Sequence, residues 1–252
     1  MKKVYFVGAG PGDPELITVR GRKLLESADL VIYAGSLVNP ELLNYTGEAE
    51  ALSSADMDLE EIVEKIVRAV HEDRLVVRLH TGDPSLYGAI QEQIDALAAK
   101  NIESEIVPGV SSFQAAAASV KREFTLPEVA QSLILTRMEG RTPVPESESL
   151  RNLARPGTSL VIFLSVQMID EVVEELMKEY SPDTPVAVVQ KASWPEEKVV
   201  EGRLNDIAKK VKKAEIDRTA LIMVGDFLDS EYARSKLYDK NFSHSYRQGE
   251  EK

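Results

Sequence analysis

Short apolar runs alternate with amphipathic stretches along most of this chain, a pattern that predicts strands and helices in alternation. Strand-like runs fall at 4–8, 29–33, 75–79, 104–107, 132–136, 159–164, 186–190 and 219–224. Helical patterns fall at 18–27, 59–72, 88–100, 111–120, 147–153, 168–178 and 204–213. In the second of these, Ile62, Val63, Ile66, Val67 and Val70 recur with the helical period and read as a core stripe. Such alternation points to the α/β class. The stretch Ala115 to Ala118 reads as helix. Lys121 to Pro127 then forms a polar connector ending in proline, and new strands begin near Ser132. The expected organisation is an N-terminal α/β domain over 1–120 with glycine-rich loops and a C-terminal α/β domain over 121–230. A polar tail over 231–252 reads as peripheral and partly disordered. The two domains are expected to meet near 119–128, and binding sites favour such boundaries.

Composition narrows the function classes. At 252 residues, 43% apolar and 29% charged, the chain has material for a real core in one or two domains. Zero cysteines exclude disulfides, thiolate metal sites and thiol catalysis, and fit a cytoplasmic protein. His71, His80 and His244 are scattered without ligand spacing, so no metal site is expected. A net charge of −12 argues against a nucleic-acid partner and requires local cations for any anionic substrate. No apolar run approaches the length of a membrane span, and Met1-Lys2-Lys3-Val4 enters a strand at once, which reads as no signal peptide.

Three loops follow predicted strands and carry the chemistry. The first is Gly8-Ala9-Gly10-Pro11-Gly12-Asp13-Pro14, and the second is Thr81-Gly82-Asp83-Pro84-Ser85-Leu86-Tyr87-Gly88. The third is Pro108-Gly109-Val110-Ser111-Ser112, opening an alanine-rich helix. Ligands of open α/β sheets bind outside the carboxyl ends of strands, where these loops lie. The first loop lacks the G-x-G-x-x-G spacing of a dinucleotide site. The strand Leu30–Tyr33 also runs into Ala34-Gly35 with no carboxylate for a ribose, so a dehydrogenase is disfavoured. Ser111 and Ser112 read equally as helix caps, and Asp83 as an Asp-Pro turn. The loop 138–146, framed by glycine and prolines, reads either as a solvated connector or as a lid.

In that order and spacing the three loops resemble the tetrapyrrole methylases, S-adenosylmethionine-dependent enzymes of class III, over roughly residues 3–228. Further segments resemble the members that methylate C11 of precorrin-4 or cobalt-precorrin-4. These are Tyr33-Ala34-Gly35-Ser36-Leu37-Val38, Glu139-Gly140-Arg141-Thr142-Pro143, Phe163-Leu164-Ser165 and Ala192-Ser193-Trp194-Pro195. Uroporphyrinogen-III methyltransferases carry an aspartate where Ala34 stands, and this chain departs from them there.

The resemblance implies two α/β domains with an interdomain active-site cleft, a homodimer, and S-adenosylmethionine as cofactor. It assigns cofactor contacts to Pro11, Thr81, Gly82, Asp83, Leu86, Ser111, Ser112, Leu164 and Ala192, with Asp83 near the ribose or the amino-acid moiety. Methyl transfer from a sulfonium to an electron-rich carbon needs no protein nucleophile, so positioning is the expected contribution. If a base is needed, His80 is the candidate, against a plain strand histidine. A substrate rich in carboxylates calls for arginine. Arg20, Arg122, Arg137 and Arg141 are the candidates, with Arg141 preferred as the clamp and Trp194 set to line the macrocycle. The alternatives are methylases for C20 or C17 of the same series, diphthine synthase, or a non-catalytic nucleotide-binding module.

Overall fold

The computed structural model describes residues 3–248, and the final four positions of the polar tail lie outside it. Two compact units result. One holds the chain up to Ala116 together with Lys191–Glu197, and the other holds Ala117–Gln190 together with the chain from Lys198 onward.

The first unit is built on strands β1 (Val4–Gly8), β2 (Leu30–Tyr33), β3 (Glu50–Ser53), β4 (Val76–His80) and β5 (Ser104–Val107). Between them run helices α1 (Val19–Ser27), α2 (Leu59–His71) and α3 (Gln91–Ala98), and α4 (Ser112–Ser119) follows β5. The strands form one all-parallel sheet in the order β3-β2-β4-β1-β5. Parallel sheets are covered on both faces, which is why β1, β2 and β4 read as nearly continuous apolar runs. Alternation along each strand sorts the side chains. Phe6, Ile32 and Val76 pack with Ile62 and Ile66 of α2 and Leu97 of α3. Val7, Val31, Val77 and Leu79 pack with Leu25 of α1 on the opposite face. Helix ends are fixed locally: Asp58 and Glu61 form a reciprocal capping box on α2, and Thr18 caps α1.

The face assignment locates the site. The connection leaving β1 crosses through α1 on one face, and the connection leaving β4 crosses through α3 on the other. Since β1 and β4 are neighbours, their carboxyl ends flank a topological switch point, the crevice where open α/β sheets place ligands.

The second unit has strands β6 (Leu133–Arg137), β7 (Ser159–Phe163), β8 (Pro185–Gln190), β9 (Lys198–Arg203) and β10 (Ala220–Val224). Their order is β6-β7-β10-β8-β9, parallel between β6 and β7 and antiparallel elsewhere. Helices α5 (Leu150–Leu153), α6 (Ile169–Leu176) and α7 (Ile207–Lys213) belong to it. Leu160, Ile162, Val188 and Ile222 meet Val172 of α6 and Ile207 of α7 in its core. Beyond Asp229 the tail contains a short turn of 3-10 helix at Lys236–Tyr238, held by Arg247, which donates to the carbonyls of Leu237 and Asp239.

Sequence and structure differ at identifiable places. Strands β3 and β9 escape the sequence pattern. The helix expected from residue 88 begins at Gln91, because Tyr87 and Ala89 adopt left-handed backbone (φ 56° and 48°).

Candidate active site

The three glycine-rich loops leave three adjacent strands, β4, β1 and β5. They are locked together by backbone. Gly10 and Gly82 form an antiparallel bridge, with N–H to carbonyl distances of 3.3 and 2.8 Å. A Cβ on Gly109 would lie 2.2 Å from the Gly82 carbonyl oxygen and 2.8 Å from Gly8 Cα, so the three chains touch where only glycine fits.

Asp83 ties the second loop to the third. One carboxylate oxygen accepts the Gly109 N–H at 2.8 Å, and the other accepts the Ser85 N–H at 2.9 Å and the Ser85 hydroxyl. Partial burial works to raise its pKa. The hydrogen bonds from the Ser85 hydroxyl and the Gly109 and Ser85 N–H groups outweigh that effect and hold it below the usual carboxylate range. Asp83 is therefore an ionised internal brace of the loops. Ser111 is buried and opens α4, with its N–H donating to Gln114 Oε1 at 2.9 Å. Ser112 next to it, and Thr81 and Leu86 of the second loop, are half-buried.

The first loop is held from the segment Lys191–Glu197. The Trp194 indole N–H donates to the Pro11 carbonyl at 2.9 Å, and the Asp13 N–H donates to Ser193 Oγ at 3.0 Å. A Cβ on Gly12 would fall 2.0 Å from Trp194 Cδ1. Buried Asn39 donates its side-chain amide to the Gly12 carbonyl at 2.8 Å. Trp194, expected against a macrocycle, thus packs on the glycine loop itself, and Ala192 is buried next to it in the same segment. The sequence marked Asn39 only by its position before Pro40, and nothing in the sequence paired it with Gly12.

His80 is 4% exposed and stacks on Phe6 with ring centroids 5.9 Å apart. Its Nε2 has no hydrogen-bond partner. Burial first, and then the neighbouring Arg78 cation, push its pKa down to about 3, so the ring is neutral across the physiological range. A site that so disfavours the imidazolium suits a proton acceptor poorly.

Of the arginine candidates, Arg20 is engaged by Glu105 at the surface of the first unit. The other three lie in the second unit. Arg137 donates to the carbonyls of Thr142 at 3.1 Å and Pro143 at 2.6 Å, which folds the 138–146 loop back on the end of β6. Ser165 joins the ends of β6 and β7, accepting the Met138 N–H at 2.9 Å. Arg141, in the same loop, is exposed. Leu164 is 70% exposed in left-handed backbone at φ 55°, a costly conformation for a leucine. Such outliers cluster at ligand sites.

Comparison with known proteins agrees with this architecture. The family model for tetrapyrrole (corrin/porphyrin) methylases matches residues 3–208. The cobalt-precorrin-4 C(11)-methyltransferase of Methanocaldococcus jannaschii is 59% identical over 100% of this chain and 98% of its own. The precorrin-4 C(11)-methyltransferase of Pseudomonas aeruginosa is 50% identical over 98% and 99%. A solved cobalt precorrin-4 methyltransferase of cobalamin biosynthesis superposes with a TM-score of 0.88 at 47% identity, over 90% of this chain and 96% of that one. The uroporphyrin-III C-methyltransferase of Thermus thermophilus, solved with S-adenosyl homocysteine, gives 0.76 at 31% identity over 90% and 98%. This chain belongs to the tetrapyrrole methylase family.

Proposed function

We propose that this chain is an S-adenosylmethionine-dependent methyltransferase acting on C11 of precorrin-4 or cobalt-precorrin-4 in cobalamin biosynthesis. The observation that carries the reading is the end-to-end likeness to relatives of that one activity, from an archaeon and from a bacterium. The reading extends to a cytoplasmic location and to a homodimer, the second of which sedimentation of the purified protein checks.

The first unit has what an S-adenosylmethionine site needs. Its glycine loops close on one another at the switch point, where a Cβ would intrude, and Asp83 fixes their spacing. Pro11, Thr81, Gly82, Leu86, Ser111, Ser112 and Ala192 are the contacts we assign there, and Leu164 is the contact we assign on the second unit. When bound, the cofactor supplies an electrophilic methyl group on a sulfonium. The protein's part is positioning, which can reach effective molarities of about 10⁵–10⁸ M. Trp194, Asn39 and Ser193 contribute by immobilising the first loop. His80 stays neutral and takes no proton. Arg141 serves as a carboxylate clamp for the substrate, and Arg137 shapes the loop that carries it. The test is methyl transfer to cobalt-precorrin-4 and to precorrin-4, with the methylated carbon located in the product. Methylation at another ring carbon overturns the reading.

A further inference from the structure

The face of the first unit's sheet that meets α2 and α3 carries an open cavity of about 320 Å³, lined by Arg78, His80, Leu37, Met57, Leu59 and Leu86 among others. Resting on the function proposed above, we propose that this cavity takes a carboxylate-bearing side arm of the tetrapyrrole substrate, with Arg78 as its counter-ion.

Arg78 is the unusual group. It is 4% exposed, and its three hydrogen-bond acceptors are all neutral: Gln93 Oε1 at 3.1 Å, the Ile32 carbonyl at 3.1 Å and Ser54 Oγ at 3.0 Å. Its guanidinium carries more N–H groups than those partners use. Burial alone brings its pKa down to about 10, and no carboxylate pushes it back up. It remains a cation at neutral pH, buried with no ion-pair partner among the described residues, an arrangement that costs stability unless a partner arrives. The one carboxylate on the cavity wall, Glu92, is exposed and forms no ion pair with Arg78 among the described residues. Neutral His80 adds no competing charge of either sign. Leu37, Met57, Leu59, Ile62 and Leu86 make one part of the wall apolar beside the polar Thr81 and Gln93, which suits the methylenes of an alkyl carboxylate better than a compact, strongly hydrated anion such as phosphate. The cavity also answers the charge problem of the chain. A protein of net charge −12 must hold a polycarboxylate through local cations, and here one is already desolvated.

The experiment uses the intact protein. The chain has three histidines, so the His80 ring protons can be assigned by comparison with His80→Gln. Propionate titrated into the wild type shifts the His80 resonances saturably, whereas propionamide and inorganic phosphate do not. Leu37 is half exposed at the cavity mouth, so Leu37→Trp blocks entry without disturbing the core. In this variant the propionate response is lost. The KM for the tetrapyrrole rises about ten- to a hundredfold, the worth of a charge-assisted hydrogen bond, and S-adenosylhomocysteine affinity is unchanged. An enzyme that methylates its substrate but shows no propionate-specific shift, or keeps its KM in Leu37→Trp, overturns the cavity assignment and leaves the function standing. A propionate response in a protein that methylates neither precorrin overturns the function, and with it the assignment of the cavity to that substrate.

Discussion

Replacing Gly109 by alanine tests the loop interlock most severely. The added Cβ meets the Gly82 carbonyl oxygen at 2.2 Å and Gly8 Cα at 2.8 Å. Carbon and carbonyl oxygen rest at about 3.3 Å, so the gap must open by about 1 Å. Nothing flexible can yield, because both neighbours are main chain, Gly8 ending β1 and Gly82 in the loop that leaves the adjoining β4. Overpacking of this kind costs about 1–3 kcal/mol, or roughly 2–12 °C in Tm for a protein of this size. The functional loss should be larger than the stability loss. A misplacement of about 1 Å at a positioning site costs about 10²-fold in rate. Gly157→Ala is the matched control. Gly157 belongs to the second unit and has φ 82°, with nothing within 4 Å of its Cβ, so its cost is conformational alone, about 1–2 kcal/mol. Thermal unfolding, calorimetry with S-adenosylhomocysteine and turnover are measured on both variants. Gly157→Ala should lose stability and keep turnover, and Gly109→Ala should lose both turnover and cofactor affinity. Gly109→Ala with wild-type affinity and turnover would refute the claim that the interlocked loops shape the site.

Asp83→Ala removes the brace between the second and third loops, and calorimetry should show S-adenosylhomocysteine binding weakened by about 1.5–3 kcal/mol. Arg141→Ala should raise the KM for the tetrapyrrole and leave both cofactor affinity and loop proteolysis unchanged, whereas Arg137→Ala should expose residues 138–146 to protease. His80 has a folded pKa of about 3 against 6.5 for the free side chain, so the unfolded chain binds a proton that the native state refuses. Stability should therefore fall as pH drops from 6.5 toward 3, with a contribution of roughly 1 kcal/mol per pH unit that is absent from His80→Leu in urea titrations at stepped pH. Turnover by His80→Ala should stay well above the loss of about 10⁴-fold expected for a deleted general base.

The parts of the fold legible in the sequence are those buried on both faces. Strands β1, β4 and β10 are buried almost throughout, and their bounds shift by at most a residue from the pattern. The two strands that escape it, β3 and β9, are edge strands of their sheets. Glu-Ala-Leu-Ser and Lys-Val-Val-Glu-Gly-Arg are mostly solvent-facing, so neither apolar continuity nor clean alternation marks them. Each of the three loops alone reads equally as a plain turn or cap, and only their joint order and spacing make them legible, but their mutual contact depends on strand order, which sequence alone does not give. Arg78 went unread for a related reason. An arginine in a strand ordinarily faces water, and only the register that sets Val76, Arg78 and His80 beneath α2 and α3 reveals it as a buried cation. Trp194 and Arg137 were singled out for substrate, yet their nearest partners are loop carbonyls, contacts between residues that pattern cannot pair.

The central claim is the carbon that receives the methyl group. Incubation with S-adenosylmethionine carrying a ¹³C methyl, followed by NMR of the product from cobalt-precorrin-4, reads it directly. The account predicts one new labelled methyl, with carbon–carbon correlations that place it on C11. A label on C17 or C20, or labelling of uroporphyrinogen III in preference to either precorrin-4 form, would contradict it.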